Sequence, residues 1–225
     1  MNILIVSATE AEIALFIKKR EANKISPNLF QISYQNQIID ILISGIGMVS
    51  TSYHLTKHLA LTNKKYDLAI NTGIAGCFDR NIDLGEVVHV VIDSFPELGA
   101  EDGDQFIPFE TRIPLHIHRG GELKDTFEIV QIGNLKNVRG ITVNTVHGNE
   151  KSIERIKRQS NADVESMEGA AFFYCCLQEN IACVQIRAIS NYVERRNKEA
   201  WKTDLAIQNL NEAIIRLMEG IERYF

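Results

Sequence analysis

Four stretches of this 225-residue chain put chemistry-bearing side chains directly after buried, strand-like apolar runs. Ile3 to Val6 is followed by Ser7-Ala8-Thr9-Glu10-Ala11-Glu12, and Asp67 to Thr72 by Gly73-Ile74-Ala75-Gly76. The short segment Asp163 to Glu165 leads into Ser166-Met167-Glu168-Gly169, and Ala182 to Ile189 leads into Ser190-Asn191. Ligands in open α/β sheets collect at the carboxyl ends of strands. An acid, a glycine-rich turn, a second acid and an amide are therefore placed to converge on one mouth. Carboxylates do acid–base work, and an amide both accepts and donates hydrogen bonds. Each element also has a structural role open to it. Glu12 and Glu168 can serve a helix dipole, Gly73 and Gly76 can be turn glycines, and Asn191 can be a cap or turn residue. Their common placement after buried strands is what points to a site.

The elements that must position these residues can be read from hydrophobic periodicity. Helices are expected over Glu10 to Arg20, Val49 to Leu61, Ser152 to Gln159, Met167 to Gln178 and Lys202 to Tyr224. Leu29 to Tyr34 and Ile38 to Ser44 read as a strand pair around Gln35-Asn36-Gln37. Glu86 to Asp93 and Ile141 to Asn144 are further strands. Strands lying between helices and apolar on both faces imply a sheet covered on both sides, the α/β class. There is no internal repeat. Pro96 to Pro114 has no clear period and carries Glu97, Glu101, Asp102 and Asp104. One domain over residues 1–225, with a long mid-chain insertion, fits this length.

Composition narrows the function classes. Hydrophobic residues make up 45% and charged residues 24%, values of a globular chain. The net charge of −5 and the lack of a clustered basic face argue against a nucleic-acid partner. Lys18-Lys19-Arg20 and the stretch from Arg155 to Arg158 read as solvated helix ends. Cys77, Cys175, Cys176 and Cys183 form no C-x-x-C pair and suit buried thiols in a reducing compartment. The chain starts at once with a strand, without a signal peptide, and no apolar run approaches the ~20 residues of a membrane span. A cytoplasmic protein without a membrane partner is expected. Gly45-Ile46-Gly47 is only a fragment of a dinucleotide fingerprint, because position 50 is Ser50. His54 with His58, and His116 with His118, have spacings that metals use, but neither follows a known ligand pattern, and no metal is expected.

The ordered set resembles the purine nucleoside phosphorylase/nucleosidase superfamily. The segments that carry the resemblance are Ile5 to Glu12, Ser44-Gly45-Ile46-Gly47, Asn71 to Gly76, Val164 to Ala170 and Arg187-Ala188-Ile189-Ser190, which span nearly the whole chain. The resemblance implies a three-layer fold with a central mixed sheet flanked by helices. It implies a purine nucleoside as the small-molecule substrate, no cofactor, and a homo-oligomer, with a dimer favoured. By the same resemblance Glu12 is the carboxylate that orients and deprotonates water, Met167 and Glu168 hold the ribose, and Ala75 and Gly76 bring backbone close to the nucleoside. Asn191 faces N7 and the 6-substituent of the base, supported by Arg187 and Ser190. The residue that stacks on the base falls in the region of Thr145, Val146 and His147.

A finer match to the futalosine hydrolases of that superfamily is carried by Phe95 to Asp104, Glu165 to Ala171, Arg187 to Asn191, and Trp201. It implies release of hypoxanthine from futalosine in menaquinone biosynthesis. Superfamily members acting on adenine nucleosides have Asp where this chain has Asn191. A departing adenine presents two donors, which suits a carboxylate. A departing hypoxanthine presents N7–H as donor and O6 as acceptor, which suits an amide. Phosphorolysis is disfavoured, because residues 7–12 hold no cation and two acids that repel phosphate. The stretch Pro96 to Pro114 is expected to wall the far end of the ribose.

Overall fold

The computed structural model describes residues 1–34, 37–103, 105–108 and 134–224. Ile3 to Val6 form the fully buried interior of β1 (Asn2–Ser7). β1 pairs in parallel with β4 (Gln37–Ile43) and with β5 (Leu68–Cys77), and β5 pairs in parallel with β11 (Cys183–Tyr192). Beyond β11 lie β6 (Val87–Ile92), antiparallel to it, then β9 (Lys136–Thr142) and β10 (Val164–Ser166), each parallel to the strand before. At the other edge β3 (Leu29–Tyr34) and β2 (Asn23–Ser26) add antiparallel strands to β4. The sheet is therefore mixed.

A strand apolar on both faces needs cover on both. α1 (Glu10–Lys19) and α5 (Thr203–Tyr224) cover one face, where Ile13 and Phe16 pack with Leu210, Ile214 and Met218 against β1, β4 and β5. α2 (Met48–Leu61) and α4 (Gly169–Gln178) cover the other, with Leu55, Phe172 and Phe173 on Leu4 and Val6. α3 (Glu150–Gln159) packs Ile156 against Ile141 and Val143. This is the three-layer arrangement expected from the sequence.

One difference shapes the site. The segment from Gly73 to Gly76, expected as a turn, continues β5 to Cys77. The pairing of β5 with β1 stops at Thr72, and its freed edge then takes β10 antiparallel, with Glu165 opposite Gly76. β5, β11, β6, β9 and β10 thus close into a ring. β11 likewise runs through Ser190 and Asn191, where a register shift between Ile189 and Asn191 makes Ser190 a bulge residue. Bulges re-aim side chains and recur beside active sites.

Smaller differences lie at the edges. β2 is polar and was not expected. Within the Pro96 to Pro114 stretch, β7 (Gly99–Asp102) and β8 (Gln105–Pro108) form a hairpin on which Glu101 and Asp102 are exposed. Gln35, Asn36, Asp104, Pro114, His116 and His118 lie outside the described residues. His54 Nδ1 lies 3.0 Å from Ser50 O and His58 Nε2 lies 2.7 Å from Tyr66 OH, so each ring is engaged separately.

Candidate active site

Glu12 stands in the first turn of α1 and is buried. One carboxylate oxygen serves its own helix: Oε2 accepts from Thr9 N at 3.0 Å and from Thr9 Oγ1 at 2.9 Å. The other leaves the helix and accepts from Ile74 N on β5 at 3.1 Å. The dipole role and the site role are thus divided between the two oxygens of one side chain.

Arg187 on β11 is fully buried. Its Nη2 donates a short bond to Asn71 Oδ1, while Nε and Nη1 have no hydrogen-bond partner among the described residues. Nη1 lies 3.8 Å from Glu168 Oε2. A buried guanidinium nitrogen without an acceptor is costly, so its position calls for one. Gly73 lets the guanidinium lie against β5. A Cβ there would lie 2.3 Å from Arg187 Nη1 and 2.9 Å from Glu12 Oε1. The missing side chain thus lets a carboxylate oxygen and a cationic donor close in on the same point of β5.

Glu168 occupies the N-cap position of α4 without a side-chain bond to the helix, and its Oε1 accepts instead from Gly47 N at 2.9 Å. Gly47 has φ +91, a left-handed conformation that glycine adopts without strain, and this presents its N–H to Glu168. Burial pushes the Glu168 carboxyl up, Arg187 and the Gly47 N–H oppose the shift, and the Glu12 carboxylate adds to it. Met167, next to it, is partly buried.

The amide lies farther along β11. Ser190 Oγ is 2.8 Å from Asn191 Oδ1 and 3.2 Å from Ala75 O, and Asn191 Nδ2 donates to Tyr192 O at 3.0 Å. That leaves Asn191 one acceptor lone pair and one N–H for a ligand. Gly76 lies between Asn191 and Glu165 across three strands. A Cβ on it would sit 3.3 Å from Asn191 Nδ2 and 3.4 Å from Glu165 Cγ. Glu165 grips His147 twice, accepting from its backbone N at 3.0 Å and from Nδ1 at 2.6 Å. Burial pushes the Glu165 carboxyl up, and His147 holds it down.

Glu12, Glu168 and Arg187 are therefore neighbours around Gly73, while Asn191, Ser190, Ala75 and Gly76 form a second cluster one turn of the strand pair farther on. Sequence reasoning missed the Gly47 N–H, Asn71, Glu165 and the buried Asp93. Only the Asn71 position carried a signal, being a polar residue that ends the apolar run Leu68 to Ile70.

Comparison with known proteins places the chain. A family model described as the phosphorylase superfamily matches residues 2–225. The chain belongs to the phosphorylase superfamily. Superfamily relatives include the futalosine hydrolase of Thermus thermophilus, 29% identical over 187 residues covering 79% of this chain and 80% of that protein. The 5'-methylthioadenosine/S-adenosylhomocysteine nucleosidase of Colwellia psychrerythraea is 25% identical over 93% of this chain and 91% of that protein. Among solved structures, the Helicobacter pylori methylthioadenosine/S-adenosylhomocysteine nucleosidase superposes with a TM-score of 0.81 at 17% identity, covering 97% of this chain and 98% of that one. The native futalosine hydrolase of Helicobacter pylori gives 0.77 at 17% identity, covering 100% and 98%. These structures share the superfamily fold.

Proposed function

We propose that the protein is a futalosine hydrolase, cleaving the N-glycosidic bond of futalosine to hypoxanthine and dehypoxanthine futalosine in menaquinone biosynthesis. The observation that carries hydrolysis is the convergence of Glu12 Oε1 and Arg187 Nη1 over Gly73. A water there has a carboxylate to take its proton and a donor to orient it. As its oxygen bonds to C1′ of the ribose, the bond from C1′ to N9 of the base breaks and the bonding pair leaves with the base. Glu12 takes the water proton. Glu168 accepts from the ribose hydroxyls beside Met167, and Ala75 and Gly76 bring backbone close to the nucleoside.

Asn191 gives its free oxygen to N7–H and its free N–H to O6, which disperses charge on the leaving hypoxanthine. An amide does not act as an acid, so the N7 proton comes from water. Of the three residues Thr145, Val146 and His147, His147 is the one held in place, by Glu165, and it is the candidate to face the ring. The names of relatives such as the Thermus thermophilus enzyme support the same substrate. A methylthioadenosine/adenosylhomocysteine nucleosidase is the second reading, supported by the long alignment with the Colwellia psychrerythraea protein and opposed by Asn191.

The reading extends to the whole chain as one domain, working without metal or organic cofactor, in the cytoplasm, with neither nucleic acid nor membrane as a partner. The four free, buried cysteines suit a reducing compartment. Among the described residues no helix is long and apolar enough to cross a membrane. A homodimer is supported by the exposed apolar side chains of α2, where Val49 is 78% and Leu61 74% exposed, beside a groove of about 720 Å³ floored by Phe95 and Ala171. The test of the site is Glu12→Gln. It is expected to bind nucleoside as the parent does and to lose turnover; full turnover in this variant would remove Glu12 as the base.

A further inference from the structure

A buried carboxylate that none of these steps uses lies directly behind the ribose-binding turn. Asp93 follows β6 and is 1% exposed. Its Oδ1 accepts from Ser94 N at 2.8 Å and from Thr142 Oγ1 at 3.0 Å, and its Oδ2 accepts from Gln185 Nε2 at 2.9 Å. Thr142 has one hydroxyl proton and gives it to Asp93, so its lone pair is left to accept from Ala170 N at 2.7 Å. The Ala170 N–H is one of the first-turn donors of α4 with no acceptor inside the helix. The carboxylate thus orients the hydroxyl, and the hydroxyl holds the first turn of the helix that begins after Glu168.

A second contact leads to the same backbone. A Cβ on Gly169 would lie 1.9 Å from Gln185 Oε1 and 2.2 Å from Asp93 Oδ2. The Asp93–Gln185 pair therefore presses against the chain immediately after Glu168, and residue 169 has no room for a side chain.

We propose that Asp93 is a positioning residue for nucleoside hydrolysis: through Thr142 and Gln185 it fixes the 168–170 backbone so that the Glu168 carboxylate meets the ribose hydroxyls. The proposal rests on the ribose role given to Glu168 above. Asp93 itself stays behind the site.

The charge of Asp93 is part of this device. Burial pushes its carboxyl up to about 6, against the hydrogen bonds from Gln185 and Thr142 and the charge of Arg187. Arg187 on β11 is the charged group that acts on it. Thr142 on β9, Gln185 on β11 and Gly169 and Ala170 on α4 face it with uncharged groups. A protonated Asp93 would set a donor against donors. Gln185 Oε1 has no partner among the described residues, so the Gln185 amide can turn to accept that proton, which undoes the seat under Gly169. The ionised form is therefore the one that positions Glu168, and its contribution is lost as pH falls through about 6.

The experiment measures kcat and KM for hypoxanthine release by the parent protein, Asp93→Asn, Thr142→Val and Thr142→Ser between about pH 5 and about pH 8. Asp93→Asn is expected to raise KM about ten-fold and to remove the acid limb near pH 6, because the group that titrates is gone. Thr142→Val is expected to raise KM similarly and to move the limb to higher pH, since it deletes a bond that holds the Asp93 carboxyl down. Thr142→Ser is expected to restore both. Parent-like KM and an unchanged limb in Thr142→Val, or in a folded Asp93→Asn protein, would overturn the proposal. A parent protein that releases no base from any purine nucleoside overturns the hydrolase reading and this inference with it, and so is told apart from an active parent whose variants behave alike.

Discussion

Gly73→Ala tests the seat of the attacking water without replacing any charged group. The added Cβ would stand 2.3 Å from Arg187 Nη1 and 2.9 Å from Glu12 Oε1. Optimal non-bonded contacts lie at about 3.5–4.0 Å, so the guanidinium must retreat by more than about 1 Å and the carboxylate by about half of that. Neither moves freely. Arg187 is fully buried and tied to Asn71, and Glu12 is tied to Thr9 and Ile74. Overpacking of this kind costs about 1–3 kcal/mol of stability, which a denaturant titration reads. Pushing Glu12 and Arg187 from their places also misplaces the water held between them, and misplacement by ~1 Å costs on the order of 100-fold in rate. The expected result is a kcat lowered by about 100-fold or more with nucleoside binding, read by calorimetry, little changed. A folded Gly73→Ala protein with undiminished kcat would refute the idea that water is activated between Glu12 and Arg187.

Three further outcomes follow from the same geometry. Asn191→Asp should shift preference from 6-oxopurine towards 6-aminopurine nucleosides by about 1–3 kcal/mol, roughly 5- to 150-fold in relative kcat/KM, read by competing the two substrates. Glu165→Gln removes the charge and keeps only one of the two acceptors that hold His147, and should raise KM by roughly 3- to 10-fold while the circular dichroism of the fold is unchanged. Tyr66→Phe should lower stability by about 1–3 kcal/mol in urea, because the phenol donates to the fully buried Asp40 at 2.5 Å, beside Lys64 at 2.6 Å and Gln31 at 2.7 Å. Burial would raise the Asp40 carboxyl, but these three bonds outweigh it and hold it below its ordinary value. Its contribution to stability is present above the ordinary carboxylate range and lost as pH falls through the lowered value. The variant should therefore lose that contribution at a higher pH than the parent does.

The parts of the fold legible in the sequence are those with a local period. Ile3 to Val6, the helix from Glu10 and the helix ending at Tyr224 announce themselves through unbroken apolar runs or a 3.6-residue repeat. What was not legible depends on partners far away in the chain. Gly73 to Gly76 read as a turn because glycines punctuate strands, yet β10 arrives antiparallel to extend the strand and close the ring. β2 and the hairpin of β7 and β8 are short and mostly exposed, so no burial pattern marks them. The same holds for the site. Glu12, Glu168, Ser190 and Asn191 each follow a buried apolar run in the sequence and could be gathered by that rule, although β11 itself continues through Ser190 and Asn191. Asp93 also ends a strand, but its meaning lies in Thr142 and Gln185, 49 and 92 residues away. The bond from Gly47 N to Glu168 spans 121 residues, and no residue type at position 47 advertises it.

The most direct test of the account is release of free base by the parent protein from futalosine, inosine, adenosine and methylthioadenosine, each with and without phosphate. The account predicts rapid release of hypoxanthine from futalosine at a rate that phosphate does not change. Preferential release of adenine would contradict the role given to Asn191, and a rate that requires phosphate would contradict the water placed between Glu12 and Arg187.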